Sequence, residues 1–397
     1  MKPISHGGNI SAIRKRLGLG QRPLTDFSVS LNPLGPPPNA MIAARTALET
    51  CERYPEPGCH KLTEYIAEKH GVPADCVIVG AGTTELISLI GQSLREILAM
   101  HANEVGDPDM SLSHLVEPTY SEYKRTSALN ELPLESWSRH ILGWKQEFFP
   151  RSANGIYWTG HPNNPTGRAW DRETLLHHVD NSEDLLTVVD EAYLPFLPDE
   201  KSRTVTADVV SRGNLLVLRS VTKVYAIAGL RVGYAVASPD MVLRLRQFQE
   251  PWTVAAPAEA AALAALLDTE YLEKSVELIG GENVRQTDRL WDIPGIRPAW
   301  PDRVAPSGTP ARANFILVSL AETRWTSQQV HDELARRGFL VRECANYAGL
   351  EMGVSLTGAG GLVIPTNGHL RFAVRSPDEN DRLFAALADV MSRKPGE

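Results

Sequence analysis

The sequence predicts an α/β protein built on a mainly parallel sheet, and three observations carry this prediction. Short apolar runs alternate with amphipathic helical segments through roughly the first two thirds of the chain, an order typical of parallel sheets. Several of these runs are apolar throughout, as expected for strands that are covered on both faces. After about residue 265 the segments become longer and more polar, which indicates a second, smaller α/β domain.

The elements of the first region follow from this pattern. Leu86, Ile87 and Ile90 fall on one stripe of a helix that we predict over residues 84–100. The predicted strands of this region cover residues 76–79, 113–117, 156–159, 185–190, 215–219 and 232–237.

The second region predicts fewer strands and longer helices. A Pro-rich break over residues 294–310 interrupts it, and the Gly-rich stretch 349–368 predicts a long loop. We therefore expect three parts: an N-terminal arm (1–40) that packs with the small domain, a large domain (41–265) and a small C-terminal domain (266–397). The predicted elements of the small domain are helices over 269–290, 327–337 and 378–392 and strands over 314–319, 339–343 and 369–374.

Charge and hydropathy exclude several classes of protein. The 397 residues include 40 Lys and Arg against 48 Asp and Glu, a formal net charge of −8, which argues against nucleic-acid binding. Residues 1–9 contain no apolar core of the kind a signal peptide needs. The most apolar stretch, 254–267, is too short to span a bilayer and contains Pro257 and Glu259. We expect a cytoplasmic protein that has no membrane partner.

Cysteine and histidine spacing predicts neither a disulfide framework nor a metal site. Cys51, Cys59, Cys76 and Cys344 form no Cys-x-x-Cys pair, so we expect reduced thiols. No group of histidines and cysteines has the spacing of metal ligands.

Lys223 is the first candidate for a chemical role. It follows an apolar strand, is preceded by Ser220 and Thr222, and has Arg231 eight residues later. This arrangement suits a Schiff-base lysine beside a phosphate site. Taken alone, however, a surface lysine that follows a strand explains the pattern better.

Two further candidates also follow predicted strands. Asp190 ends an apolar run, and a buried carboxylate needs a cationic partner, although Asp is equally common as a helix N-cap. Asn164 lies in the run 161–167, whose prolines fix the backbone and so hold the amide toward a ligand. As a bare turn, this run is unremarkable.

A Gly-rich turn joins a predicted strand to a predicted helix at residues 80–85. It supplies backbone N–H groups at the positive end of a helix and suits one phosphate. It is neither a dinucleotide fingerprint, because Glu85 stands at the third glycine position, nor a P-loop, because it lacks the Gly-Lys pair.

Together these segments resemble the fold-type I pyridoxal-phosphate enzymes, the aspartate aminotransferase superfamily. The matching runs are Asn-Asn-Pro-Thr-Gly at 163–167, Asp-Glu-Ala-Tyr at 190–193, Ser-x-Thr-Lys at 220–223 and Gly-Leu-Arg-Val-Gly at 229–233. The resemblance covers nearly the whole chain and implies a mainly parallel seven-stranded sheet in the large domain. It is strongest to threonine-phosphate decarboxylases of cobalamin synthesis, through segments 6–9, 28–37, 249–254 and 341–350, and next to histidinol-phosphate aminotransferases.

The resemblance implies pyridoxal 5′-phosphate as the cofactor and assigns it a set of residues. Lys223 would carry the cofactor as a Schiff base, and Asp190 would pair with the ring nitrogen. Asn164 and Tyr193 would hydrogen-bond the phenolic oxygen of the ring, and Tyr120 would stack on its face. The implied catalytic residues are thus Lys223, Asp190 and Tyr193.

The resemblance also implies how the cofactor phosphate is held. Tyr54 would reach the phosphate bound by the neighbouring subunit, which implies a homodimer with shared active sites. For Tyr54 and Tyr120, ordinary aromatic packing is the alternative. Within one chain, the implied phosphate ligands are Gly82, Thr83, Ser220, Thr222 and Arg231.

On the substrate side, the resemblance implies two arginines and part of the N-terminal arm. Arg371 would bind a carboxylate, because its planar fork matches two oxygens, and Arg342 would meet a substrate phosphate. His6 and Gly7 would close over the same phosphate, although a disordered N-terminal residue is the alternative for His6. Asn164 and Ser30 complete the implied substrate contacts.

The implied function is decarboxylation of a phosphorylated or phosphonate-bearing small amino acid. The first expectation is L-threonine O-3-phosphate, giving (R)-1-aminopropan-2-ol phosphate. An aminotransferase of the histidinol-phosphate type is the alternative, since small differences in how the carboxylate is held decide which bond at Cα breaks. A non-catalytic binding protein that retains the fold is a more remote alternative.

This chain departs from the decarboxylase pattern in two places that bear on the substrate. Ser30 replaces an asparagine that contacts substrate in that family, and one hydroxyl cannot replace both hydrogen bonds of an amide. The segment between Arg342 and Arg371 is longer than in that family, through residues 351–368.

Overall fold

The computed structural model describes residues 7–105, 112–138, 155–299, 313–350, 352–355, 362–365 and 367–395. Its helices are α1 (Ile10–Leu17), α2 (Pro38–Ala47), α3 (His60–His70), α4 (Thr83–Val105), α5 (Ser121–Leu129), α6 (Arg172–Asp180), α7 (Glu200–Arg203), α8 (Val221–Val224), α9 (Pro239–Phe248), α10 (Ala256–Leu267), α11 (Thr269–Arg289), α12 (Ser327–Arg336) and α13 (Pro377–Ser392). Its strands are β1 (Thr25–Asp26), β2 (Val77–Gly80), β3 (Leu112–Glu117), β4 (Leu134–Ser138), β5 (Gly155–Gly160), β6 (Leu185–Asp190), β7 (Leu215–Ser220), β8 (Gly233–Val236), β9 (Arg297–Pro298), β10 (Phe315–Ser319), β11 (Phe339–Leu340), β12 (Arg342–Glu343), β13 (Met352–Ser355), β14 (Leu362–Pro365) and β15 (His369–Ala373).

Within the described residues, the large sheet has seven strands in the order β2-β8-β7-β6-β5-β3-β4. β8 is antiparallel to β2 and β7, and the other neighbours are parallel. This confirms the predicted α/β class and the mainly parallel seven-stranded sheet. β4 has no counterpart among the predicted strands because it is an edge strand with exposed residues, such as Leu134 and Ser136, and therefore no apolar run.

The central strands are buried on both faces of this sheet. Val189 and Val217 pack into one apolar cluster, whereas Val188 and Leu216 pack into the other. Each of these four side chains is at most 1% exposed. Successive residues of a strand face opposite sides of the sheet. Because both sides are buried here, consecutive positions of these strands are apolar and form continuous runs.

The C-terminal part of the chain forms a second, antiparallel sheet in the order β12-β15-β10-β9. The N-terminal segment joins it, because β1 pairs with β11 and the backbone of Phe27 bonds to both Leu340 and Ala373, at 2.7 and 2.8 Å. This sheet carries Arg342 on β12 and Arg371 on β15, so the position of the sheet determines where these two side chains lie.

Two predicted segments differ from the structure. The strand expected over 339–343 is divided into β11 and β12, which pair with β1 and β15 respectively. The stretch 349–368, expected as a loop, contains the antiparallel pair β13 and β14. Its many glycines hide the short apolar pieces in the sequence that form these strands. Residues 300–312 of the expected Pro-rich break and residues 356–361 lie outside the described residues.

Within the described ranges, no helix is both long and apolar enough to cross a bilayer. In the same ranges, no three His, Cys, Asp or Glu side chains converge in a way that could hold a metal ion.

A buried ion pair joins the carboxyl ends of β6 and β7. Glu191, directly after β6, lies 2.6 Å from Arg219 of β7, with side chains 0% and 4% exposed respectively. The carboxylate also accepts hydrogen bonds from Thr204 and Val205, at 2.8 and 2.9 Å. Because Glu191 follows Asp190 and Arg219 precedes Ser220 in the sequence, this pair fixes the spacing between two strand ends.

We expect Arg219→Met to lower the free energy of unfolding by about 3 kcal/mol, since it leaves Glu191 buried without its cation. Urea denaturation measures the change. The matched control is Arg336→Ala, which removes an exposed pair with Glu333 and is expected to cost less than about 1 kcal/mol. Equal losses in the two variants would contradict a structural role for the buried pair.

Candidate active site

A cavity of about 170 Å³ lies at the carboxyl ends of β5, β6 and β7, where ligands bind in open α/β sheets. Nine of the residues singled out by the sequence line it, and five others do as well. The nine are Thr83, Tyr120, Asn164, Asp190, Tyr193, Ser220, Thr222, Lys223 and Arg231. The five are Thr84, Tyr123, Gly160, Pro162 and Ala192.

Lys223 reaches the cavity from the short helix α8, which directly follows β7. Burial lowers the pKa of its amine to about 8, and the positive charges of Arg371 and Arg231 act in the same direction. Asp190 opposes them. Near neutral pH the amine is therefore neutral more often than that of an exposed lysine, and the neutral amine is the nucleophilic form.

Asp190 ends β6 and is 8% exposed. Its two carboxylate oxygens accept hydrogen bonds from Tyr123 Oη at 2.9 Å and from the Ala192 N–H at 3.0 Å. Burial raises the pKa of Asp190, whereas these hydrogen bonds and Lys223 oppose the rise. A cation in the cavity would stabilise the ionised carboxylate, as a protonated ring nitrogen does.

The lining of the cavity also includes the groups that a phosphate needs. α4 begins at Thr83, and the hydroxyls of Ser220 and Thr222 are 2.8 Å apart. Gly82 has a φ of +86°, and a Cβ at this position would lie 2.6 Å from Arg231 Nη2. A side chain at position 82 would therefore push the guanidinium away from this helix N-terminus, where hydroxyls, backbone N–H groups and a positive charge come together.

Glu85 orients the turn before α4. Its carboxylate accepts hydrogen bonds from the Ala81 N–H and, at 2.6 Å, from Thr253 Oγ1. Glu85 thus connects the turn at residues 80–85 to the segment 249–254. In the same segment, Gln249 donates a hydrogen bond to the Val79 carbonyl at 2.9 Å.

The two predicted tyrosines of the cavity are held by other aromatic rings. Tyr120 meets Tyr123 edge to face at 5.5 Å, and Tyr193 meets Phe315 in the same manner at 5.0 Å. Burial raises the pKa of both phenols, so they are protonated at neutral pH and can donate hydrogen bonds.

Arg371 lies beside the cavity rather than in its wall. It is 5% exposed, donates to Asn164 Oδ1 and to the Ser28 carbonyl (3.0 Å), and lies 4.9 Å from the centre of the Phe315 ring. Its Nε has no partner among the described residues. Arg342 is directly opposite it in the pairing of β12 with β15.

The N-terminal arm approaches the same arginine. The Gly8 N–H donates to Ser28 Oγ at 2.8 Å, and a Cβ at Gly7 would lie 2.3 Å from the Ser28 carbonyl oxygen. Ser30 is 2% exposed, and its hydroxyl has no partner among the described residues. His6 lies outside the described residues.

Tyr54 does not line the cavity of its own chain. It is 79% exposed and stacks on Trp252 with 4.6 Å between ring centres. Its proposed contact with a neighbouring subunit therefore stays a prediction.

Sequence reasoning missed two tyrosines that contact site residues. Tyr123 bonds to Asp190, and the sequence does carry a signal for it: Tyr120 and Tyr123 are three residues apart at the start of a helix and so share a face. Tyr347 bonds to Asn164 at 3.2 Å, and only the tertiary fold brings these two residues together.

The donor set fits the cofactor that the sequence predicts, and the Gly82 contact allows a direct test. We expect Gly82→Ala to weaken the binding of pyridoxal 5′-phosphate at least ~10-fold, because the added Cβ displaces the Arg231 guanidinium. Fluorescence titration of the cofactor-free protein measures the affinity.

The control for backbone strain is Gly71→Ala, since Gly71 also has a positive φ (+66°) but has open space around it. Both variants lose stability through this strain. Only Gly82→Ala is expected to lose cofactor affinity, and equal affinities in the two variants would contradict the assignment.

Comparison with known proteins agrees with this geometry. Residues 22–387 match the family described as aminotransferase class I and II. The threonine-phosphate decarboxylase of Salmonella typhimurium is 31% identical over 397 residues, covering 98% of this chain and 97% of that protein. The histidinol-phosphate aminotransferase of Symbiobacterium thermophilum is 30% identical over 395 residues, covering 98% and 95%.

Solved structures share the fold. The L-threonine-O-3-phosphate decarboxylase of Porphyromonas gingivalis superposes with a TM-score of 0.74 at 23% identity, over 93% of this chain and 100% of that chain. The histidinol-phosphate aminotransferase of Sinorhizobium meliloti, in complex with pyridoxal 5′-phosphate, gives 0.74 at 20% identity, over 99% of each chain.

Family, cavity and donor set lead to the same cofactor. The cavity contains a buried lysine, a buried carboxylate and hydrogen-bond donors suited to a phosphate, which are the groups that pyridoxal 5′-phosphate requires, and this compound is the cofactor. The chain belongs to the aminotransferase class I and II family and is a pyridoxal-phosphate-dependent enzyme.

Proposed function

We propose that this enzyme decarboxylates a small phosphorylated amino acid, with L-threonine O-3-phosphate as the first candidate. The observation that carries the proposal is the cross-strand pair of Arg342 and Arg371, buried to 7% and 5% exposure. Directly opposite residues in an antiparallel pair share one face of the sheet. Two neighbouring guanidinium groups favour a substrate that bears two anionic groups, such as a carboxylate and a phosphate.

The known contacts of the two arginines suit different parts of such a substrate. Arg371 already bonds to Asn164 in the cavity wall, so it is the nearer of the two to the cofactor site and suits the carboxylate. Arg342 bonds to Asn346 at 2.7 Å and suits the phosphate. The Salmonella relative, a threonine-phosphate decarboxylase, supports this substrate class.

The chain's own residues prepare the reaction. When bound, the cofactor supplies a carbonyl group that reacts with an amine and a ring that accepts the electrons of a bond broken at Cα. Asp190 lines the cavity and would pair with a protonated ring nitrogen, each charge favouring the other. Lys223, with its pKa lowered to about 8, accepts or returns a proton at Nζ. Arg371 would hold the carboxylate in a fixed orientation, and the proposed reaction requires that this orientation align the bond from Cα to the carboxylate for cleavage.

A second candidate is an aminotransferase of the histidinol-phosphate type. It is favoured by the relative from Symbiobacterium thermophilum, which is 30% identical over nearly the full chain. Histidinol phosphate has a phosphate but no carboxylate, so it would use only one arginine, whereas an amino acid that serves as amino donor or product would use Arg371.

We further propose that the enzyme works as a homodimer with shared active sites. Exposed apolar side chains lie on or next to α2 and α10, two helices that pack on each other, and in the stacked pair of Tyr54 and Trp252. Exposed apolar patches mark protein interfaces, and we propose that these side chains belong to one. The side chains are Leu34, Ile42, Leu48, Tyr54, Trp252 and Leu267.

We expect the holoenzyme to convert L-threonine O-3-phosphate into equal amounts of CO₂ and (R)-1-aminopropan-2-ol phosphate without any added 2-oxo acid. Trapped CO₂ and product mass measure the reaction. Lys223→Ala is the control and is expected to release no CO₂, because the amine that attaches the cofactor and transfers the proton is gone. Amino transfer from histidinol phosphate to 2-oxoglutarate, with no CO₂ release, would instead establish the second candidate.

Shared sites predict complementation between two inactive variants. Tyr54→Ala and Lys223→Ala, each inactive alone, are expected to regain about a quarter of the wild-type activity after dissociation and mixing, since half of the dimers are mixed and each has one intact site. Activity that stays at zero after confirmed subunit exchange would rule out a contribution of Tyr54 across the interface.

A further inference from the structure

Tyr347 has no part in the proposed reaction, yet it contacts two residues that do. Its hydroxyl donates to Asn164 Oδ1 at 3.2 Å, and Arg342 Cζ lies 5.5 Å from the centre of its ring. The side chain is 8% exposed. Arg342 is itself held by Asn346, so the ring has one fixed neighbour on its face.

Asn164 Oδ1 accepts two hydrogen bonds, one from Arg371 and one from Tyr347. An amide oxygen has two lone pairs, so these two donors saturate it. The reversed amide would place Nδ2 against the Arg371 N–H, donor against donor, and is excluded. Nδ2 of Asn164 has no partner within the described part of the chain, and Asn164 lines the cavity. The cavity therefore receives an N–H donor whose direction the two bonds on the oxygen determine.

The hydroxyl of Tyr347 remains a donor over the whole neutral pH range. The charged and titratable groups that face it are Arg371, Arg342, Cys344 and Tyr193. Burial raises the pKa of Tyr347 and outweighs the opposing effect of the two arginines, so the phenol stays protonated.

We propose that Tyr347 is a positioning residue that fixes the amide of Asn164, so that Nδ2 donates to an anionic oxygen of the bound cofactor. A neutral donor at such an oxygen stabilises its negative charge and lowers its affinity for a proton. Loss of the Tyr347 hydroxyl leaves one lone pair of Asn164 Oδ1 without a donor. The amide is then held by Arg371 alone and can tilt away from the direction that the two bonds fix. The effect involves the cofactor alone, so it is expected whether the enzyme releases CO₂ or transfers an amino group.

The test is a spectrophotometric pH titration of the bound cofactor in the holoenzyme, without substrate. In Tyr347→Phe we expect the apparent pKa of the cofactor band to rise by about 0.5 unit, since one neutral hydrogen bond is weakened. Tyr65→Phe is the matched control, because it removes a phenol that bonds to the Leu266 carbonyl at 3.0 Å, away from the cavity. The phenyl ring preserves the packing in both variants, and thermal unfolding checks that both are folded.

A double-mutant cycle shows whether the effect passes through Asn164. In an Asn164→Ala background, Tyr347→Phe is expected to cause no further change in the apparent pKa. No rise in Tyr347→Phe, an equal rise in Tyr65→Phe, or an undiminished rise without Asn164 would each overturn the proposal. The apparent pKa of the cofactor band does not depend on which substrate the enzyme uses. A negative substrate assay would therefore contradict the proposed function without contradicting the role of Tyr347.

Discussion

The constraint on which the site depends is the burial of Lys223 among charged groups of both signs. Arg231 and Arg371 lower the pKa of its amine together with burial, while Asp190 opposes them. Such an arrangement is unfavourable for a lysine that only fills space, because burial penalises its charged form. It suits a lysine that reacts as a neutral amine, and it would suit a cofactor whose anionic phosphate lay beside Arg231 and whose cationic ring nitrogen lay beside Asp190.

The scaffold holds these groups by short, local devices. The buried pair of Glu191 and Arg219 sets the spacing between the ends of β6 and β7, which carry Asp190 and Ser220. Glu85 fixes the turn before α4 through Ala81 and Thr253. The smaller sheet brings Arg371 of β15 against Asn164 in the cavity wall, and β15 is itself paired with β12 and tied to the N-terminal segment. Three separate parts of the chain therefore converge on one cavity.

The sequence predicts most strands of the seven-stranded sheet because buried parallel strands are continuous apolar runs. It predicts the candidate residues at strand ends for the same reason, since polar side chains such as Asp190 interrupt those runs abruptly. The sequence does not predict β4, because an exposed edge strand has no such run. It does not predict β13 and β14, because glycine dominates the sequence around them. The hydrogen bond from Tyr347 to Asn164 joins residues that are 183 positions apart, so no local sequence pattern predicts it.

The central claim is that the cofactor is attached covalently to Lys223. Borohydride reduction of the holoenzyme, followed by proteolysis and peptide mass spectrometry, tests it most directly. One added pyridoxyl-phosphate mass is expected on the peptide that contains Lys223. Attachment to another lysine, or no covalent adduct in a holoenzyme that still binds the cofactor, would contradict it.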